Sequence, residues 1–149
     1  MRLLITALLL LTVSAFAADK PVVQRINPPA LSKPTGYTHI VVVQGGRTIY
    51  LSGQVPLTAD GKLVGPGNME AQTRQVFENL RAALKASGAD LSDLVKITIF
   101  ATDASQLPAI RKVRDQYLLN NLPASSFMEV KALFRPDVLI EIEGIAVTK

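Results

Sequence analysis

Hydrophobic and polar positions alternate with period two in several short stretches of the chain and with period 3.6 in two longer ones. The clearest alternation lies near the end, in Pro123–Val130 and again in Val138–Val147, with the turn residues Phe134-Arg135-Pro136-Asp137 between them. This pattern predicts two adjacent strands of one sheet. In the second strand Ile140 and Ile142 point to one face, and Leu139, Glu141 and Glu143 to the other. Glu129 and Lys131 are expected to extend the polar side, so that one face is core and the other carries charge.

Upstream, Val22–Ile26 reads as a short strand, and the proline-rich stretch from Asn27 to Gly36 as surface connection. His39–Gln44 and Arg47–Ser52 predict a hairpin around Gly45-Gly46, a pair that tolerates the positive φ of a tight turn. Gly53 to Gly67 is turn-rich, with a small excursion at Ala59-Asp60-Gly61-Lys62. Asn68 is a good helix cap, Glu70 suits the first turn, and Val76, Phe77, Leu80, Ala83 and Leu84 build an apolar stripe that Gly88 ends. Val95–Ala101 alternates as a strand with Val95, Ile97 and Ile99 on one face. Asp103 or Ser105 caps a second helix with Pro108 in its first turn and Ile110, Val113 and Tyr117 along its stripe, and Asn120-Asn121-Leu122-Pro123 leads back to the opening alternation.

The order of strands, helix, strand, helix, strands predicts an α+β two-layer sandwich, a mainly antiparallel sheet with two helices on one face. Its second face then needs water, a subunit or a ligand. Before this domain, Met1-Arg2, the apolar run from Leu3 to Val13 and the small-x-small site Ala15-Phe16-Ala17 have the order of a secretory signal peptide cleaved after Ala17. The run is too short to cross ~30 Å of hydrocarbon. Residues 1–17 are therefore expected to be removed and 18–149 to form a single exported domain, periplasmic and without a membrane segment.

The 149-residue chain carries a formal net charge of +4. Its basic residues are scattered among acids rather than gathered in a run, and no nucleic-acid partner is expected. With no cysteine there is neither a disulfide framework nor a thiolate site. The single histidine, His39, cannot build a His-rich metal centre and reads as a strand-edge surface residue. Gly65-Pro66-Gly67 has proline where a phosphate loop needs N–H donors. No metal and no cofactor is expected, and acid–base work by carboxylates is the chemistry that remains.

The Pro123-Ala124-x-Ser126 opening, Glu129-Val130, the Ile140–Ala146 run, Ser52-Gly53-Gln54 and the helical segment near Glu70 to Gly88 together resemble the RidA (YjgF) family of small enamine and imine deaminases and their non-enzymatic relatives. The resemblance covers most of the chain from about Ala18. It implies a chorismate-mutase-like fold, trimers whose sheets close into a central barrel, and small-molecule clefts between subunits.

It also implies site residues. Glu141 matches the family residue that positions or activates the hydrolytic water; the alternative is that Glu141 pairs with Lys131 or Lys96 across the strands. Ser52 matches a cleft serine, Tyr37 a cleft tyrosine, and Phe127 a position that lends backbone groups to the ligand. Arg111 stands where the family often has asparagine. Deaminating members have an arginine after Pro-Ala that grips the substrate carboxylate, and here that position is Ser125. A serine cannot supply the bidentate, charge-assisted grip of a guanidinium. Arg111 is a candidate replacement, the alternative being a solvated residue on the helix surface, and Arg135, in the turn after Lys131, is another candidate. The resemblance thus implies a hydrolase acting on C–N bonds of a small imine or enamine, with the usual 2-imino acid specificity in question. The alternative is a non-catalytic binding or chaperone-like protective protein using the same cleft.

Overall fold

A computed structural model describes residues 20–119 and 121–149. The expected signal peptide and Asn120 lie outside them. The elements are β1 (Val22–Ile26), β2 (Ile40–Gln44), β3 (Arg47–Gln54), α1 (Met69–Ala86), β4 (Leu94–Ala101), α2 (Leu107–Leu118), β5 (Ala124–Glu129) and β6 (Ile140–Thr148), with single 3-10 turns before β4 and before α2. A four-stranded sheet runs in the order β3-β6-β4-β5, and β1 pairs with β2 in a separate ribbon. Both helices pack on the sheet, giving the two-layer α+β sandwich that the pattern predicts.

The core lies between that helix layer and one face of the sheet. Val76, Phe77, Leu80 and Leu84 of α1 and Ile110 and Val113 of α2 are sealed against Ile97, Ile99, Ile140 and Ile142. The α1 boundaries follow from local chemistry: the Asn68 side chain accepts the Ala71 N–H at 3.0 Å, and Gly88 supplies the positive φ of +74° just beyond the Ser87 cap. Asp103 caps the short turn that leads into α2 by accepting the Ser105 N–H at 2.9 Å. The Ala59–Lys62 excursion closes through the Thr58 N–H to Lys62 C=O bond at 2.9 Å.

Besides Leu139, which precedes β6 and packs against the core instead of sharing the face of Glu141 and Glu143, four local expectations are corrected. First, β5 and β6 belong to one sheet but are not neighbours; β4 lies between them, parallel to β5 and antiparallel to β6. Second, β2 pairs with β1 rather than β3, in the register Val22↔Gln44 to Ile26↔Ile40. Gly45 and Gly46, at φ of +72° and +81°, carry the chain from the ribbon into the sheet. Third, the register slips between Leu94 and Lys96, so Leu94 takes the core position and Val95 is only half-buried. Fourth, Glu129 faces the helix layer, because it pairs with the buried Ala101 on the parallel neighbour, and its carboxylate accepts the Ala104 N–H at 2.9 Å.

One buried polar side chain fixes the approach to β6. Gln72, on the core side of α1, donates to Asp137 C=O at 2.9 Å and Gly65 C=O at 3.2 Å and accepts the Leu139 N–H at 2.8 Å. Gln72→Leu fills the same volume but strands these groups. It is expected to lower stability by about 2–3 kcal/mol, seen as a lower urea midpoint with an unchanged slope.

Candidate functional site

Period two places Ser52, Glu141 and Glu143 on the face of the sheet away from the helices. The pairs Leu51↔Gly144 and Ile99↔Ile142 are buried, so their chain neighbours point outward. Between Leu51 and Gln54 the ladder to β6 slips, leaving Ser52 and Gly53 opposite Glu143. That bulge brings the Gly53 Cα against the Glu141 side chain. A Cβ built on Gly53 would fall on Oε1 and lie 2.7 Å from Cδ. The absence of a Cβ at Gly53 is what lets the carboxylate keep this position.

Glu141 is half-buried, and among the described residues it makes no ion pair within 4.0 Å. The expected cross-strand alternative is not formed. Lys96 Nζ instead donates to Ser126 Oγ at 2.7 Å. Burial lowers the Lys96 ammonium below the ordinary lysine range, with Glu143 opposing the shift. Tyr50, Ser52, Lys96, Thr98, Glu143 and Ile145 line a concavity of about 370 Å³ on this outer face.

The other candidates lie elsewhere. Ser125 and Phe127 pair with the buried Ile97 and Ile99 on the parallel neighbour β4, and so face the helix layer. Phe127 packs against the core. Tyr37 sits in a loop docked where β5 begins: Thr38 N–H donates to Pro123 C=O at 3.0 Å and Thr38 Oγ1 to Leu122 C=O at 2.7 Å. The Tyr37 ring meets His39 edge-on at 5.1 Å, and His39 Nε2 lies 2.8 Å from Ser32 C=O. Arg111 is half-buried on α2, its Nε without a partner among the described residues. Arg135 is tied to Asp137.

One chain therefore holds the candidates in two groups on opposite sides of its sheet: Ser52 and Glu141 outward, and Tyr37, Ser125, Phe127 and Arg111 around edge strand β5 and α2. Two further residues shape these groups. Arg114 is buried, paired with Asp115 at 2.7 Å, and lies against Gly36, where a Cβ would come within 2.6 Å of its Cζ. It holds the Tyr37 loop to α2. Gln72 anchors the segment before Glu141. Each is a polar residue at helical spacing among core positions, Arg114 between Ile110 and Leu118, and Gln72 four before Val76. That mismatch is the sequence signal for both.

Among the described residues no helix is long and apolar enough to cross a membrane, and no group of three or more His, Asp or Glu side chains could hold a metal ion.

The comparisons with known proteins agree on one relationship. The Endoribonuclease L-PSP family profile matches residues 28–148. A RutC family protein of Pyrococcus horikoshii is 35% identical over 127 residues, 85% of this chain and 97% of the relative. The 2-iminobutanoate/2-iminopropanoate deaminase of Dermatophagoides farinae is 34% identical over 82% of this chain and 94% of its own. The crystal structure of a Rid-family protein of unknown function from Yersinia pestis superposes with a TM-score of 0.78 at 36% identity, covering 84% of this chain and 98% of that one. With a two-layer fold shared with Rid proteins, a bulged strand set against Glu141 and a family match across nearly the whole described chain, this protein belongs to the RidA/YjgF family, also described as Endoribonuclease L-PSP.

Proposed function

We propose that this chain is an exported, periplasmic hydrolase of small imines or enamines, working as a homotrimer in which the outward group of one subunit meets the β5 group of the next. The observation that carries this reading is the Glu141 carboxylate, half-buried beside the Gly53 bulge with no cation within 4.0 Å among the described residues. A carboxylate kept free of an ion pair is available to accept a proton. It takes one from water as the oxygen attacks the imine carbon, and the C=N electron pair moves to nitrogen, which gains a proton. Collapse of the carbinolamine expels ammonia and leaves a carbonyl. No metal, cofactor or nucleic acid takes part.

Trimerisation is supported by the sheet itself. Its outer face exposes Tyr50 and Met128, at 79% and 42%, a surface that a barrel of three sheets would cover. The two candidate groups, held apart in one chain, would also come together across such an interface.

Ser125 favours a second reading, a binding or protective protein that uses the same cleft without turnover. The deciding experiment is ammonia release from 2-iminopropanoate generated in situ, by the wild type and by Ser125→Arg. The hydrolase reading expects slow but measurable wild-type turnover and a gain in kcat/KM of about 10- to 100-fold in Ser125→Arg, since a charged hydrogen bond is worth about 1.5–3 kcal/mol. Silence in both would hand the lead to the binding protein.

A further inference from the structure

At the far end of β6, between the β1–β2 ribbon and the sheet, a second cavity of about 310 Å³ opens. At a rise of about 3.3 Å per residue, Thr148 on its wall lies roughly 23 Å along the strand from Glu141, and the cavity shares no lining residue with the outer-face concavity, so it is a separate feature. Its apolar lining comes from Val23 of the ribbon and Val95 and Val147 of the sheet. Into it projects Arg25, which pairs with Val41 on the inner side of the ribbon.

Arg25 is the anomaly. Its Nε is sealed from solvent with no hydrogen-bond partner, and among the described residues no carboxylate lies within 4.0 Å of its guanidinium. Lys20 and Lys149 bring ammonium groups to the lining. The one acidic side chain on the wall, Asp93, is already engaged, accepting the Asp90 N–H at 2.9 Å. Arg25 is half-buried, its sealed Nε facing a wall that mixes Val23, Val95 and Val147 with polar residues, and with no anion within 4.0 Å among the described residues it gains from a counter-charge that enters with its own apolar surface.

We infer that this cavity is a binding site for a small organic anion, a carboxylate on a compact apolar body, with Arg25 taking the carboxylate and the valines the body. The volume suits such a molecule, whereas a bare oxyanion would leave the valine-lined part unfilled.

The probes are benzoate, its uncharged analogue benzamide, and inorganic phosphate, each titrated into the protein and followed by backbone amide shifts. Benzoate is expected to shift Val23, Val95 and Thr148 saturably, to bind at least tenfold more tightly than benzamide or phosphate, and to raise the Tm. Arg25→Met is expected to weaken benzoate at least tenfold and, without ligand, to melt no lower than the wild type, because methionine needs no counter-charge. Saturable shifts absent from these residues, benzamide or phosphate binding as well as benzoate, or full binding by Arg25→Met would each overturn the assignment. A ligand-free Arg25→Met that melts clearly lower would overturn it too, by making Arg25 a structural residue with its own partner.

Discussion

Glu141→Gln is expected to reduce ammonia release from 2-iminopropanoate by about 10²- to 10⁴-fold, the range lost when a positioned general base is removed. Glutamine keeps the length and planarity of the side chain and can still orient a water, but it cannot accept that water's proton. The loss therefore falls on kcat, with KM little changed. Glu141 makes no ion pair among the described residues, so the substitution strands no partner and the fold should persist. An unchanged far-UV spectrum and solution mass would separate loss of chemistry from loss of structure. An unchanged rate would remove Glu141 from the mechanism and leave the Ser125-containing cleft to binding alone.

Most of the fold was legible because local chemistry and burial agree. The Asn68 cap and Gly88 terminus of α1, the core stripe of both helices and the alternation of Ile140 and Ile142 with Glu141 and Glu143 are set within a few residues of each other. Strand partners are not. The Gly45-Gly46 pair has the backbone freedom of a hairpin turn, yet it does not determine whether β2 pairs forward with β3 or backward with β1. The Val22–Ile26 register wins, and a local turn signal cannot register that competition. In the same way, the turn residues at Phe134–Asp137 mark a reversal but not how far it reaches, and the segment crosses over β4 instead of closing a hairpin.

The candidate site was legible to a different depth. Glu141 was readable as an outward residue from period two, whereas Ser52 was singled out by the resemblance; both lie on that face. Ser125 and Phe127 fall on the opposite face because the register of β5 pairs them with the buried Ile97 and Ile99 of β4, a register that tertiary packing fixes and the alternation within β5 does not. The α2 crossover sets Arg114, rather than any residue singled out from the sequence, against Gly36 in the Tyr37 loop.

Gly53→Ala is expected to separate stability from function more sharply than any other single change. Gly53 does not adopt a positive φ, so alanine introduces no backbone strain there. Its Cβ would instead meet Oε1, Cδ at 2.7 Å and Cγ at 2.9 Å of Glu141. These atoms end a flexible side chain that can swing aside, so the cost to stability is expected to stay below about 1 kcal/mol. The carboxylate cannot swing aside and also keep its place. A displacement of about 1 Å in a catalytic group is enough for a loss of about 10²-fold, and kcat for ammonia release should fall by that amount with Tm nearly constant. The double variant provides the check. If Gly53 acts only by leaving room for the Glu141 carboxylate, Gly53→Ala adds nothing to Glu141→Gln, whereas independent, additive losses would mean that the bulge serves the site through some other contact.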